Sequence, residues 1–277
     1  MKTLTLGFSP CPNDTFIFHA LVHGLVGCPG IAFAERLEDV ETLNHLALAG
    51  ALDIAKVSFH MLGHIRDDYV LLRSGCAMGR GCGPLVVSAR FTDINQLKGR
   101  RIAVPGRHTT ASLLLRLYNP HLDNIVHIPF NEIMGAIASG KVDAGVIIHE
   151  SRFTYLEAGL SRMLDLGEWW ERETGHPIPL GGIVARRSLG RKIVADIDSS
   201  LRASVAYALA HNAEANDYIR AHSQEMSDEV CAAHVNLYVN DFSLDLGAEG
   251  EAAVNDLLSR AEADGLVPRS TRNLFSP

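Results

Sequence analysis

Hydrophobic positions in the first 60 residues follow two alternating periods. Short apolar runs of the strand type are separated by stretches in which apolar residues recur at helical spacing. The pattern predicts strand, helix, strand, helix and strand in turn, at residues 4–8, 16–26, 31–37, 40–50 and 51–59. Strands that alternate with helices favour an α/β fold with mostly parallel strands.

The same order of elements recurs between residues 100 and 149. A strand and turn, a helix, a strand, a helix and a strand are predicted at 100–106, 108–118, 124–130, 132–140 and 141–149. The closing segments GALDIAKVSF (50–59) and GKVDAGVIIH (140–149) align without gaps, so Gly50 matches Gly140 at the end of a predicted helix. A repeated unit of this kind predicts two similar lobes.

Two further apolar segments connect the predicted lobes. PLVVSAR (84–90) and LGGIVARR (180–187) predict strands that cross from one lobe to the other and back. Beyond the second crossing, the apolar spacing is mostly helical. We therefore predict a larger, discontinuous lobe formed by 1–87 and 186–277, and a smaller lobe formed by 88–185.

Polar groups lie at equivalent strand ends in the two halves. Lys56 and Ser58 close the third strand of the first half, and His149 closes the matching strand of the second. Ligands of parallel α/β sheets bind outside the carboxyl ends of the strands, so two facing lobes would bring these groups into one cleft. The alternative is that His149 is an ordinary solvated histidine. Glu150 follows it, and strand alternation predicts that Glu150 points away into solvent.

The turn VPGRHTTA (104–111) joins a strand to the start of a helix. Free N–H groups and the helix dipole make such a start a suitable anion site, and Thr109 and Thr110 add hydroxyl groups. A threonine that only caps the helix fits the same pattern. Capping and ligand binding therefore both remain open for this turn.

The equivalent turn of the first half is SPCPNDTF (9–16). Asn13, Asp14 or Thr15 is predicted to cap the helix that follows. Cys11 lies just before the helix start, where a thiolate would be favoured. Because the sequence supplies no evident histidine partner, packing of the turn is favoured over nucleophilic catalysis.

Composition and charge narrow the function classes. The 277 residues carry 25 basic and 32 acidic side chains, for a formal net charge of −7, whereas nucleic-acid binders usually carry a basic excess. Five cysteines without a CxxC motif favour reduced thiols in a cytoplasmic protein over a disulfide framework. Neither a secretory signal nor an apolar run long enough to span a membrane is predicted.

Histidine pairs raise the question of a metal site. His19 and His23, and likewise His60 and His64, have the spacing that places two ligands on one helix face. No HExxH motif and no clear third ligand accompanies either pair, and no nucleotide-binding GxxxxGK[ST] motif is present. The sequence therefore favours neither a metal nor a nucleotide.

Three segments together carry a family resemblance: SPCPNDTFIFHALVHG (9–24), VPGRHTTA (104–111) and IIHESRFTY (147–155). With them the chain resembles the 1,4-dihydroxy-6-naphthoate synthases of the futalosine route to menaquinone, over nearly its whole length. The resemblance implies a two-lobed fold like that of type 2 periplasmic binding proteins, with an interlobe cleft. It also implies a carbon–carbon lyase that converts a small carboxylate, cyclic dehypoxanthinyl futalosine, to the naphthoate and a three-carbon fragment, expected to be dihydroxyacetone.

The resemblance further implies roles for particular residues. The family's catalytic base is the histidine of its IIHES stretch, which is His149 here. Its substrate contacts map onto Lys56, Val57, Ser58, Thr109 and Thr110. A neutral imidazole accepts protons readily near neutral pH, and formation of an aromatic product supplies driving force. No redox cofactor and no metal is therefore expected.

Other functions fit some of the same features. A cytoplasmic small-anion binding protein would share the fold and release its ligand unchanged. The related chorismate dehydratases act on a smaller substrate, and the pairing of HTT with IIHES speaks against them. A ligand-sensing domain of a regulator is disfavoured because no basic helix-turn-helix segment is present. The sequence indicates no oligomeric state.

Overall fold

A computed structural model describes residues 1–223 and 227–275, which form an α/β fold with two β-sheets. The strands are β1 (Lys2–Phe8), β2 (Ile31–Leu37), β3 (Ile54–Ser58), β4 (Tyr69–Leu71), β5 (Ala77–Gly79), β6 (Leu85–Ser88), β7 (Ile102–Val104), β8 (Ile125–His127), β9 (Ala144–Ile147), β10 (Ser161–Asp165) and β11 (Ile178–Arg186). The α-helices are α1 (Pro12–Val22), α2 (Val40–Leu48), α3 (Phe59–Ile65), α4 (Thr110–Tyr118), α5 (Ile133–Ala138), α6 (Ser151–Thr154), α7 (Leu166–Thr174), α8 (Arg191–Ala210), α9 (Asn216–His222), α10 (Asp228–Tyr238), α11 (Asp241–Leu244) and α12 (Gly247–Ala263).

Both sheets contain the repeated unit that the sequence predicts. The first sheet has the strand order β2-β1-β3-β11-β4, with β5 also paired to β11, and the second has the order β10-β6-β9-β7-β8. β1 is parallel to β2 and β3, and β7 is parallel to β8 and β9. In each unit the first strand thus lies between the second and the third, which confirms the internal repeat.

The expectation of mostly parallel sheets is wrong outside these units. β11 is antiparallel to β3, β4 and β5, and β6 is antiparallel to β9 and β10. Both sheets are mixed because the segments that connect the lobes run against the direction of the repeats. β6 belongs to the second sheet and β11 to the first. The exact lobe boundaries, at 87/88 and 185/186, stay a prediction.

Matched glycines end equivalent helices. Gly50 follows the last turn of α2 with φ of +64°, and Gly140 follows that of α5 with φ of +71°. Glycine adopts this left-handed conformation without the steric cost that other residues incur. Each glycine lets the chain leave its helix and enter the next strand, so the predicted helix stops are confirmed.

The first helix begins earlier than its apolar pattern indicates. Pro12 occupies the first turn, where the missing N–H group of proline costs no hydrogen bond. Cys11 is the N-cap residue and makes no side-chain capping bond. Asn13, Asp14 and Thr15 lie inside the helix and are buried, so the prediction that one of them is the cap is wrong.

The interior is closely packed and its cysteines are unpaired. Trp170 is among the largest fully buried side chains, and its indole N–H donates a hydrogen bond to the Pro177 carbonyl at 3.1 Å. All five cysteines are buried and free of disulfide bonds, as the sequence predicts. Across the described residues, no helix combines the length and apolar character needed to cross a membrane.

Candidate active site

A pocket opens where the ends of β3 and β9 approach the start of α4. Together with its open mouth it occupies about 650 Å³, a size suited to a small-molecule ligand. It is lined by Ser9, Asn13, Asp14, Val40, Lys56, Ser58, Ala77, Cys82, Pro84, Thr109, Thr110, Ala111, Ile148, His149, Leu180, Gly181 and Tyr238. Residues of both sheets and their flanking helices therefore share one cleft.

The cleft brings together all but one of the residues named from the sequence. Of the residues named from the sequence, those that line the cleft are Lys56, Ser58, Thr109, Thr110 and His149. Val57 is fully buried in the hydrophobic core instead. Successive side chains of a strand point to opposite faces, so Lys56 and Ser58 face the pocket while the side chain between them faces inward. A substrate contact by Val57 stays a prediction and would have to use its backbone.

His149 reaches the pocket through an unusual backbone conformation. β9 ends at Ile147, two residues before the predicted strand end. His149 has φ of +54°. Among the described residues, it is the one residue other than glycine whose φ is positive. Few non-glycine residues adopt this conformation, and such outliers concentrate at functional sites. The turn breaks the strand alternation and directs the chain from β9 into α6.

The surroundings of His149 favour a neutral imidazole. Burial lowers its pKa below the ordinary value, and the carboxylate of Glu150 opposes this effect in part. The Phe130 ring packs edge-on against the imidazole with centroids 5.1 Å apart. The Nδ1 atom of the imidazole lies 3.6 Å from Cys11 Sγ. An unprotonated ring nitrogen at neutral pH is what a general base requires.

Cys11 has the histidine neighbour that the sequence did not reveal, yet its thiol is not activated. Burial raises the pKa of Cys11, and the negative charge of Glu150 raises it further. The thiol is therefore neutral, and its contact with His149 is a weak hydrogen bond rather than a thiolate–imidazolium ion pair. This chemistry agrees with the preference for packing over nucleophilic catalysis.

Glu150 departs from its expected surroundings. It precedes the first residue of α6 in a helical conformation, so strand alternation does not apply to it. Its Oε2 atom is buried and has no hydrogen-bond partner within residues 1–223 and 227–275. The prediction that Glu150 points into solvent is wrong for this oxygen.

A buried ion pair forms the wall of the pocket on the side of the first sheet. Lys56 Nζ donates to Asp14 Oδ1 at 2.7 Å, and the two side chains are 7% and 3% exposed. Asp14 Oδ2 also accepts from Ser9 Oγ at 2.7 Å, and its Oδ1 accepts from Asn13 Nδ2 at 2.9 Å. Sequence reasoning missed this role, because an aspartate in a first helical turn has the pattern of a cap and its partner is distant in the chain.

The pocket hydroxyl groups differ in what they offer a ligand. Ser58 Oγ accepts a hydrogen bond from Asn44 Nδ2 at 3.2 Å, which leaves its proton free to donate. Thr109 Oγ1 donates to the Gly106 carbonyl at 3.1 Å. Thr110 Oγ1 donates to the Leu180 carbonyl at 2.6 Å. Both threonines can therefore accept a hydrogen bond from a ligand hydroxyl while these bonds last.

The start of α4 supplies donors for an anion. Thr109 is the N-cap, and its Oγ1 accepts from Ser112 N at 3.3 Å, which confirms the capping interpretation. The N–H groups of Thr110 and Ala111 belong to the first turn, where no carbonyl within the helix can accept from them. Both residues line the pocket. A carboxylate placed here would meet two N–H donors and the positive end of the helix dipole.

Two aromatic residues of α10 complete the site, and neither was identified as a site residue from the sequence. Tyr238 lines the pocket. The His234 ring stacks beside that of His149, with centroids 6.0 Å apart and an interplanar angle of 21°. His234 is fully buried, and neither ring nitrogen has a hydrogen-bond partner in the described part of the chain. Unsatisfied buried nitrogens of this kind destabilise a fold, so the packing of His234 beside His149 costs stability.

The buried His234 should make stability depend on pH. Burial lowers its pKa well below the ordinary value, and His149 and Lys56 lower it further. The folded protein keeps the ring neutral, whereas the unfolded chain takes up a proton below about pH 6.5, so stability falls as the pH falls. Between pH 6.5 and 5 this histidine alone is expected to remove about 2 kcal/mol of unfolding free energy, measurable by urea unfolding.

The His234→Phe variant tests this assignment because it keeps an aromatic ring and removes the titrating group. We expect its unfolding free energy to lose about 2 kcal/mol less than that of the wild type over the same pH range. The variant His121→Phe, at an exposed position, serves as the control. Equal pH dependence in His234→Phe and the wild type would contradict the prediction.

Comparison with solved structures defines the class of protein. The alkanesulfonate-binding protein SsuA from Xanthomonas axonopodis pv. citri, bound to MOPS, matches with a TM-score of 0.72 over 100% of this chain and 97% of that chain, at 15% identity. Identity this low shows a shared fold alone. The chain thus has a two-lobed α/β fold like that of periplasmic binding proteins, with its pocket in the cleft between the lobes.

Closer relatives define the family. The family model described as "Menaquinone biosynthesis" matches residues 4–263. The 1,4-dihydroxy-6-naphthoate synthase of Thermus thermophilus is 56% identical over 275 residues, 99% of this chain and 100% of the relative. The 1,4-dihydroxy-6-naphthoate synthase of Streptomyces coelicolor is 48% identical over 272 residues, which cover 96% of this chain and 95% of the relative. Protein AF1704 from Archaeoglobus fulgidus matches with a TM-score of 0.90 at 35% identity, over 96% of this chain and 98% of that chain. The chain belongs to this menaquinone-biosynthesis family, which confirms the resemblance seen in its motifs.

Proposed function

We propose that the protein is a carbon–carbon lyase that converts cyclic dehypoxanthinyl futalosine to 1,4-dihydroxy-6-naphthoate and a three-carbon fragment, dihydroxyacetone. The names of the two curated relatives support the naphthoate product. The observation that carries the proposal for this chain is the position of His149. A strained turn holds a neutral imidazole at the cleft, and a pure binding protein has no need of a base there.

In this proposal His149 removes a proton from the substrate and so starts the cleavage of the carbon–carbon bond. The Nδ1 atom faces the neutral thiol of Cys11. If Nδ1 carries the ring proton, Nε2 has a free lone pair and is the nitrogen we assign to proton transfer. The Phe130 ring and the His234 ring limit rotation of the imidazole from two sides.

The substrate carboxylate is assigned to the start of α4. There the N–H groups of Thr110 and Ala111 would donate to it, supported by the helix dipole. Ser58 can donate to a sugar-derived oxygen, and the threonine hydroxyl groups can accept from sugar-derived hydroxyls. Lys56 is held by Asp14, so it contributes positive charge to the wall without being free to follow the ligand.

The experiment that tests the function is an assay of the purified protein with cyclic dehypoxanthinyl futalosine and no added cofactor. Naphthoate formation is followed by ultraviolet absorbance and both products by mass spectrometry. Multiple turnovers that release both products support the lyase. Tight binding without product would show a binding protein, and dehydration of chorismate under the same conditions would show the related dehydratase.

The Thr109→Val variant should raise KM by roughly 2- to 10-fold, the effect of losing one hydrogen bond of 0.5–1.5 kcal/mol, with kcat little changed. The hydroxyl group can accept one more hydrogen bond from a ligand, and valine cannot. Because the same hydroxyl caps α4, stability should also fall by about 1 kcal/mol. The Thr109→Ser variant keeps the hydroxyl and should restore both properties. Lower stability with an unchanged KM would show that Thr109 only caps the helix and does not contact the substrate.

A further inference from the structure

Three side chains beside the cleft form a cluster that the proposed reaction does not use. Glu41 and His45 lie one turn apart on α2, and His108 lies in the turn before α4. His45 Nε2 is 3.4 Å from Glu41 Oε1, and His108 Nδ1 is 3.6 Å from the same oxygen. The three possible ligand atoms all lie within 4.8 Å of one another. We propose that Glu41, His45 and His108 bind a divalent transition-metal ion of the zinc type.

The distances suit such an ion. Ligand atoms bound tetrahedrally to zinc at 2.0–2.2 Å lie about 3.4 Å from one another. Both separations from the Glu41 oxygen already match this value. The remaining separation, between His45 and His108, is within 4.8 Å, and a rotation of the His45 side chain, which is 61% exposed, would shorten it.

The donor set has the right chemistry. Two imidazole nitrogens and one carboxylate oxygen suit Zn²⁺, Co²⁺ and Ni²⁺, and leave a fourth position open for water or a ligand. His108 Nδ1 is buried and, within the described residues, has no hydrogen-bond partner although it faces a carboxylate. A metal ion between the nitrogen and the carboxylate would satisfy both.

Neighbouring groups hold the carboxylate in place, as they do around established metal sites. Glu41 Oε2 accepts from Asn44 Nδ2 at 3.1 Å, and Glu41 Oε1 accepts from His108 N at 3.1 Å. Gly106 has φ of +150°, and a Cβ atom there would lie 2.6 Å from the carboxylate carbon of Glu41. Glycine at this position therefore allows the close approach. A bound ion would link α2, in one lobe, to the turn before Thr109, in the other lobe.

The test is titration of the chelator-treated full-length protein with ZnCl₂ by isothermal calorimetry. We expect one ion per chain, and we expect the affinity to fall at least about tenfold in His45→Ala and in His108→Ala, since even supporting groups at metal sites change affinity by that factor. His121→Ala, at an exposed position outside the cluster, is the matched control and should bind like the wild type. Co²⁺ in place of zinc should give the visible absorption of a tetrahedral site.

Other outcomes overturn the assignment. The rings of His60 and His64 lie 5.9 and 5.3 Å from that of His108, so His64→Ala is included as a second comparison. If His45→Ala retains full affinity while His64→Ala loses it, the ion binds the other histidines and the proposed ligand set is wrong. Absence of saturable binding rejects the site altogether. Because the readout is metal affinity, failure of the lyase assay leaves this test unaffected.

Discussion

The His149→Ala variant is expected to turn over cyclic dehypoxanthinyl futalosine roughly 100- to 10,000-fold more slowly than the wild type, the range typical of losing a general base. Removal of the imidazole leaves the Cys11 thiol that it contacts, and this thiol is neutral because burial raises the pKa of Cys11. A neutral thiol is a poor proton acceptor. Initial rates of naphthoate formation, with substrate binding measured in parallel, give the size of the loss.

Alanine changes the backbone as well as the base, since residue 149 has φ of +54°. Asparagine tolerates this left-handed conformation better than alanine, so His149→Asn removes the base with less strain. Both variants should lose turnover to a similar degree. Near-normal turnover in His149→Asn would remove His149 from the catalytic role and leave it a turn residue that contacts the ligand.

The pH profile gives an independent readout of the same assignment. A general base works in its unprotonated form, and burial lowers the pKa of His149 below the ordinary value near 6.5. The rate should therefore be constant through neutral pH and fall only at more acidic pH. A rate that already declines between pH 8 and 7 would indicate a base with a higher pKa than this environment allows.

Local patterns predicted the parts of the fold that depend on neighbouring residues. The repeat GALDIAKVSF over GKVDAGVIIH placed two equivalent strands and the glycines before them, because apolar period and left-handed glycine positions are local properties. The end of β9 was predicted two residues late, since Ile148 continues the apolar run although the strand ends at Ile147. Apolar character alone does not reveal where the backbone turns.

The same distinction between local and long-range information applies to the residues of the candidate site. Lys56, Ser58 and Thr109 were identified because each lies at a strand end or a helix start, where the chain direction fixes the location. Asp14 and His234 were not identified, because their roles depend on partners distant in the sequence: Lys56 for the first and His149 for the second. The packing of α10 against the cleft follows from tertiary contacts that no short motif carries.

The Lys56→Met variant is expected to lower the free energy of unfolding by about 3–5 kcal/mol, the cost of leaving one member of a buried ion pair uncompensated. Lys56 and Asp14 are almost inaccessible to solvent and lie 2.7 Å apart. Methionine fills most of the space of the lysine stem but cannot compensate the carboxylate. Urea unfolding at pH 7.5 measures the change. Lys192→Met, which breaks an exposed i, i+4 pair with Asp196, is the control and should cost less than about 1 kcal/mol.

A double-mutant cycle separates the ion pair from the packing of the individual side chains. In Lys56→Met combined with Asp14→Asn both charges of the pair are removed, and the asparagine carbonyl can still accept the hydrogen bond from Ser9. The double variant should therefore be more stable than the sum of the single effects predicts, by an interaction energy within the 0.5–3 kcal/mol found for residues in direct contact. Strict additivity would mean that the two charges stabilise the fold independently. In that case the cleft wall would depend on the hydrogen bonds from Ser9 and Asn13 to the aspartate, and Lys56 would be free to serve the substrate alone.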